Sequence, residues 1–344
     1  MRNKISENDF IQGIEYNELT SKLRTNNSFT EEWYGLTWSY ELSEKLSVGL
    51  STFGYQSISN GAIEQLLQGL TVLGDVDMLN FNRQLSYTNY GILWKAGLAM
   101  ELNKINLGLT ITTPKVPIYG NGSSAYESYL TGIDSLNGQA ISDTYIENHQ
   151  SDIPANLKSS WAIGLGIGIK LAKTTIHISS EWFGKIDNYT IMEAEEFIGQ
   201  QPNDTINFKL IDQLQSVLNV GIGLEHKFSE IFNIYGSIAT DFSAVASDGS
   251  VLYEFNKNEI ANSAFDGDLY HIAGGVSFSL KWAELSMGAT YASSKQTIKR
   301  PLDFGNDIVF NPDATSTLNY SRWQFIVGFS FPFVSKISNK LDSE

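Results

Sequence analysis

A chain of 344 residues with a net charge of −15, a pI near 4.7 and no cysteine is long enough for one large domain or two small ones. Nothing in it resembles the basic stripe that grips nucleic acid, so no nucleic-acid partner is expected, and the lack of cysteine excludes disulfide frameworks, thiol catalysis and thiolate metal sites. No apolar run approaches the roughly 18–20 residues of a spanning helix, but a mean hydropathy of −0.15 suits a membrane β-barrel, whose signature is segments of about ten alternating residues separated by turns.

The opening "MRNKISENDF" lacks the charged, apolar and small-residue regions of a secretory signal. From Tyr34 the chain alternates large apolar with small or polar residues: Tyr34, Leu36, Trp38, Tyr40 and Leu42, then Leu46, Val48 and Leu50, then Tyr90, Ile92, Trp94, Ala96, Leu98 and Met100. Ile105, Leu107, Leu109 and Ile111 follow. "WAIGLGIGIK" at 161–170 carries glycines at alternate positions, Gly164, Gly166 and Gly168. A dinucleotide fingerprint needs its third glycine three residues after the second, and that position is Ile169. The period of two makes it a strand instead, large on one face and small on the other. The pattern continues at Ile176, Ile178 and Trp182; at Leu218, Val220, Ile222 and Leu224; at Phe232, Ile234 and Ile238; at Ile272, Val276, Phe278 and Leu280; at Leu285, Met287, Ala289 and Tyr291; and from Trp323 through Phe325, Val327, Phe329 and Phe331 to Phe333. These make eleven strands.

Their connections alternate between short and long. Short ones lie near Leu42, Leu102, Leu171, Phe228 and Leu280, and long ones cover roughly residues 56–85, 114–157, 185–213, 243–268 and 296–320. Outer-membrane barrels sort their connections this way, with tight turns on the periplasmic side and long loops outside. Opposite the large residues stand Asn219, Gly221, Gly223 and Glu225, or Glu284, Ser286, Gly288 and Thr290, a face suited to a polar or spacious lumen. Trp161, Trp182 and Trp282 sit at strand ends, where aromatic girdles belong, although each alone also fits an ordinary core. The expected fold is all-β, an antiparallel transmembrane barrel over residues 33–333, preceded by a partial upstream strand or loop at 1–32 and followed by a polar tail at 334–344.

Single-chain bacterial barrels have an even strand number. Both the first and the last countable strand run from the outer side downward, so upstream strands are expected to be missing or badly patterned in residues 1–32, and the functional product is expected to be longer.

"SFTEEWYGLTWSYELSEKLSVGLSTF", "YGILWKAGLAMELNKINLGLTITTPKVPIYG", "IPANLKSSWAIGLGIGIKLAKTTIHISSEWF" and "LNVGIGLEHKFSEIFNIYGSIATDFSAV" together resemble the long-chain fatty-acid outer-membrane transporter (FadL) family. The resemblance covers most of residues 33–333 and rests on glycine-and-aromatic hairpin patterns. It implies a fourteen-stranded barrel with an N-terminal hatch, of which about eleven strands are present here. It also implies that the long connections after Gln56 and Pro114 are the third and fourth outer loops, which form the family's hydrophobic capture groove.

Both connections contain apolar stripes. Ile63, Leu66, Leu67 and Leu70 in "NGAIEQLLQGL", and Tyr126, Tyr129, Leu130 and Ile133 in "SSAYESYLTGI", have the i, i+3, i+4, i+7 spacing of one face of a short helix. These eight are the candidate ligand-binding residues. The same stripes also fit two loops that merely pack together.

No catalytic residue is assigned. The histidines are His149, His177, His226 and His271, and the nearest triad candidate, His271 with Asp268 and Ser243, has no nucleophile motif behind it. Acidic stretches at 248–259 and 264–271 lack the spacing of a calcium loop, so no metal is assigned. Lys95, with Glu101, faces inward, placed to orient a carboxylate or to pair with another strand. The expected function is passive passage of hydrophobic molecules, long-chain fatty acids foremost, across the outer membrane of a Gram-negative cell, with no cofactor. Expected partners are the hydrophobic ligand, outer-membrane lipid and lipopolysaccharide, and the barrel assembly machinery, the protein itself being a monomer. A structural or adhesive surface barrel and a general porin are the alternatives.

Overall fold

The computed structural model describes residues 16–132, 135–136, 139–140, 142–200, 205–245, 259–261, 267–280, 282–299 and 315–330. In chain order the strands are β1 (Tyr16–Ser43), β2 (Leu46–Thr71), β3 (Val76–Leu102), β4 (Ile105–Thr112), β5 (Val116–Thr131), β6 (Ser135–Leu136), β7 (Gln139–Ala140), β8 (Thr144–Pro154), β9 (Ala162–Leu171) and β10 (Thr174–Phe183). Then come β11 (Ile186–Glu193), β12 (Phe197–Ile198), β13 (Thr205–Ile206), β14 (Lys209–Leu214), β15 (Val217–Lys227), β16 (Phe232–Asp241), β17 (Glu259–Ala261), β18 (Leu269–Ser279), β19 (Glu284–Lys299) and β20 (Thr315–Ser330).

Eleven of these form one antiparallel meander in the order β1-β2-β3-β4-β9-β10-β15-β16-β18-β19-β20, the eleven strands anticipated from the alternation. Register keeps the large residues together: Trp38 pairs with Leu50, Leu50 with Ala96, Ile111 with Ile163, Ile238 with Ile272 and Tyr291 with Trp323. That face is exposed, with Leu36 at 85% and Phe325 at 78% of full accessibility. A soluble protein seldom leaves so continuous an apolar surface in water. Such a face suits a bilayer, and strands of ten residues such as β9 and β10 match the roughly 9–11 residues needed to cross the hydrocarbon.

On the short-turn side the hairpins are tight. Leu102 pairs with Ile105 and Leu171 with Thr174, leaving two-residue turns whose first residues, Asn103 (φ 39°) and Ala172 (φ 51°), are left-handed. Such turns match the twist of the strands they join.

On the other side the expectation of long loops with short helices is corrected. No described residue is helical. Residues 56–85 continue the ladder: β1, β2 and β3 hold 28, 26 and 27 residues, about 86–92 Å of strand at about 3.3 Å per residue, and turn only at residues 72–75. The i, i+3, i+4, i+7 spacing that suggests a helix also holds two pairs four residues apart, Ile63 with Leu67 and Leu66 with Leu70, each of which shares one face of a strand. A lone eleven-residue helix is marginal in water, whereas here every residue from Leu46 to Leu70 has a partner in β3. Ladder pairing therefore overrides the helical periodicity.

Above the membrane the wall is interrupted. β3 pairs with β4 from Lys95 to Leu102 and with β5 from Met78 to Ile92, so β4 and β5 are one strand broken at residues 113–115. β8 and β9 are likewise broken at 155–161. The prolines 114, 117 and 154 flank this gap, and each removes a ladder donor. The freed segment turns inward, where Leu157 is 4% exposed and its N–H donates to Asn89 Oδ1 at 3.1 Å. Gly120 permits the crossing: a Cβ there would stand 1.8 Å from the Ala155 carbonyl oxygen.

The buried core lies in this outer region. Leu85 and Tyr87 of β3, Ile153, Leu157, Ile191 and Met192 of β11, Phe208, and Leu210 of β14 pack together on the inward face of the raised wall. β11, β14 and β17 form a small separate sheet. Residues 334–344, expected to be a polar tail, lie outside the described residues.

Candidate functional site

The inward face of the membrane segment is built from the small partners of the large residues. In register across the wall stand Gly166 with Ser179 and Gly108, Gly221 with Ser179 and Ala239, and Gly275 with Gly288 and Tyr235. Between β15 and β19 this leaves a hollow of about 410 Å3, floored by Gly223, Gly275 and Gly288 and rimmed by Tyr235, Ser237 and Ile326. Its surface is mainly apolar although His177 lies on its edge, with Nε2 3.7 Å from Glu225, and His271 Nε2 stands nearby 3.9 Å from Asp241. Lys95 stands on the same inward face, in register with Ser51 and Thr112.

The outer rim is aromatic. Trp161 and Trp182 are exposed at the end of the β9–β10 hairpin, the Trp182 indole donates to Ser216 Oγ at 2.7 Å, and Tyr291 packs on Trp323 at 4.9 Å between ring centroids. Such amphipathic rings settle where hydrocarbon gives way to headgroups.

Just above this rim, at the wall interruption, Lys115 points inward and pairs with Glu31 of β1, their side chains 8% and 19% exposed. Glu31 also accepts the Ser57 hydroxyl and the Trp33 indole N–H, each at 2.7 Å, and the Lys115 ammonium lies 5.2 Å from the Tyr55 ring centre. Burial alone would raise the Glu31 pKa; the Lys115 charge and the three donors outweigh it and hold the carboxyl below its usual value. Burial, with the nearby Glu31 charge, pushes the Tyr55 hydroxyl up to about 12. Sequence reasoning placed neither Glu31 nor Lys115 in a site; the closely spaced prolines of "TTPKVP" were the available sign that the strand leaves its ladder there.

Higher up, Tyr126 sits in an aromatic cluster, 4.9 Å from Phe208, 5.5 Å from Phe81 and 5.9 Å from Phe197. The Arg83 guanidinium lies 5.6 Å from both the Phe81 and Phe208 rings, and its burial lowers its pKa to about 10. Tyr189 donates to Asp212 at 3.3 Å, and burial raises both pKa values.

The eight candidate residues do not form one groove. On β2, Ile63 and Leu67 face inward and are buried, while Leu66 and Leu70 face the opposite side and are half-exposed. On β5, Tyr126 joins the aromatic cluster, and Tyr129 and Leu130 line a shallow apolar hollow of about 400 Å3 together with Tyr145 and Gln200. Ile133 lies outside the described residues. Alternation separates neighbours that helical winding would have gathered.

Of the hydrolase candidate, Ser243 and Asp268 stand side by side, but neither their hydrogen bonds nor the histidine's contact makes a relay. The Ser243 hydroxyl accepts the Val245 N–H, the Asp268 carboxylate accepts the Ser243 backbone N–H, and His271 is turned to Asp241. Most of the two acidic stretches considered for calcium lies outside the described residues.

No protein-family profile and no curated protein sequence matches the chain. Among solved structures it is similar to the Ralstonia pickettii toluene transporter TbuX, with 11% identity, covering 91% of this chain and 76% of that one, at a TM-score of 0.52. It is also similar to a TodX mutant described as a monoaromatic hydrocarbon channel, with 12% identity, coverages of 95% and 75%, and a TM-score of 0.50. At these identities the likeness is one of fold: the chain takes the antiparallel β-barrel fold of these two solved structures.

Proposed function

We propose that the protein is an outer-membrane channel that passes hydrophobic small molecules by diffusion, without catalysis. The observation that carries this is the inner wall: small residues leave an apolar hollow of about 410 Å3 facing the lumen, where a general porin would present rings of charge. The fold shared with a toluene transporter and a monoaromatic hydrocarbon channel supports the same substrate class. Long-chain fatty acids and monoaromatic hydrocarbons both fit such a surface. Capture begins at the outer hollow beside Tyr129 and Leu130, the part of the candidate groove that remains open.

The test is retention of radiolabelled oleate and of toluene against a polar sugar, using the protein in detergent and in proteoliposomes. Saturable retention of an apolar probe is expected, reduced at least tenfold by Ser237→Trp, which fills the inner hollow. Equal passage of the sugar would establish a porin instead. The buried core against the inward face of β3 favours a second reading, a surface barrel with a covered mouth. Absence of any uptake by a folded protein would select it.

A further inference from the structure

Down the inward face of β3 stand Leu85 and Tyr87 in the outer core, then Asn89, then Leu93 and Lys95 of the membrane segment. The segment 155–161, between β8 and β9, crosses that face at Asn89. Residues 156–161 belong to no strand, and separate elements hold the crossing by single bonds. Ala155 N–H donates to the Gly120 carbonyl of β5 at 3.2 Å, Asn156 N–H to the Ile191 carbonyl of β11 at 2.8 Å, Leu157 N–H to Asn89 Oδ1 at 3.1 Å and Lys158 N–H to the Tyr189 hydroxyl at 3.0 Å. Ser159 Oγ accepts the Lys115 N–H at 2.8 Å. Leu157 is the one large side chain of the segment that enters the core, Trp161 being exposed at the rim. The crossing also leaves a polar group unsatisfied beneath it. Because its oxygen takes the Leu157 N–H, Asn89 sets its amide nitrogen beside Gly120, where the residue is 0% exposed and Nδ2 has no hydrogen-bond partner.

We propose that residues 155–161 are a strap that shuts the way down β3, and that an apolar ligand entering the outer core opens it by taking the place of Leu157. The proposal rests on the channel reading above and explains how a mouth covered by a core passes a ligand. A ligand seated against Ile191, Met192, Phe208 and Leu210 replaces the apolar contacts that Leu157 gives up, and the unbranched thioether of Met192 adapts to a foreign shape. What then opposes lifting is a set of single backbone bonds, which water replaces at small net cost. Lifting also returns the buried Asn89 amide to water, which removes the cost of leaving its donors without acceptors. The ligand fits the seat only when Leu157 has left it, so binding shifts the population toward the open strap. The Ala155–Met192 bridge and the Trp161 carbonyl, which accepts the Gly184 N–H at 2.9 Å, mark the two ends between which the strap moves.

The experiment measures hydrogen exchange at the Asn156, Leu157 and Lys158 amides of the full chain in detergent, with and without saturating toluene, beside toluene uptake into proteoliposomes. The chain has no cysteine, so Leu157→Cys supplies a single thiol whose reaction with a water-soluble maleimide gives a second view of the same opening. Toluene is expected to speed exchange and labelling at least tenfold while the amides of β9 and β10 keep their protection. Ser159→Ala, which releases the half-buried hold on the Lys115 N–H and leaves the core untouched, is expected to raise the toluene-free exchange rate and the uptake at least threefold. The proposal is overturned if a parent protein that takes up toluene exchanges its strap amides at one rate with and without it, or if Ser159→Ala exchanges and takes up toluene as the parent does. A folded parent that takes up neither toluene nor oleate defeats the channel reading and the strap's trigger together, so uptake by the parent tells the two failures apart.

Discussion

Replacing Lys115 by methionine removes the ammonium from the wall interruption while keeping most of the side-chain stem. Glu31 is then left with the Ser57 hydroxyl and the Trp33 indole as neutral donors, in a place where its side chain is 19% exposed. Breaking a buried ion pair by deleting one partner costs about 3–5 kcal/mol, because a charge remains without its counterpart. We expect about 3 kcal/mol at pH 8, read from urea unfolding of the protein in detergent. The double variant Lys115→Met/Glu31→Gln should recover most of it, with a coupling energy of about 2 kcal/mol. In the parent the Glu31 pKa is lowered on folding, from 4.5, so the stability contributed by the pair is full above that value and is lost as pH falls through the folded value. In Lys115→Met, burial acts on the carboxyl without an opposing charge and raises its pKa, so the variant regains ground on acidification. The deficit at pH 4 should be less than half that at pH 8. A deficit under about 1 kcal/mol, equal at both pH values, is what an exposed pair gives and would refute the buried-pair argument.

Strand alternation makes adjacent positions opposite in consequence. Leu67→Asp places a carboxylate on the buried face of β2 and should prevent heat-modifiable folding, whereas Leu66→Asp faces outward and should change stability by less than about 1 kcal/mol. Equal effects would mean that the β2 register is wrong. Ala172, at φ 51° in a two-residue turn, should gain about 0.5–1 kcal/mol on substitution by glycine, which adopts that conformation without a Cβ clash, seen as a higher urea midpoint. Leu130→Ser, at the outer hollow, should weaken oleate retention severalfold with no loss of folding, and unchanged retention would remove that hollow from the entry route.

The alternation of large and small residues was enough to fix the number of membrane strands, their order and which face each presents. The bilayer imposes that pattern: every strand needs an apolar outer face, and every backbone donor needs a partner in the next strand. Trp38 facing Leu50 and Ile111 facing Ile163 follow from it directly. Above the membrane that constraint ends. There "NGAIEQLLQGL" satisfies both a helical and an extended periodicity, and only pairing with β3 across the ladder decides between them. The same holds for the site. Whether Leu67 is buried, whether Tyr126 meets Phe208, and whether Lys115 reaches a glutamate 84 residues away depend on strands that are distant in sequence and brought together by register. The sequence thus determined the wall of this protein, because local alternation is read by a uniform solvent. The tertiary structure decided its mouth, because there the partners are other parts of the chain.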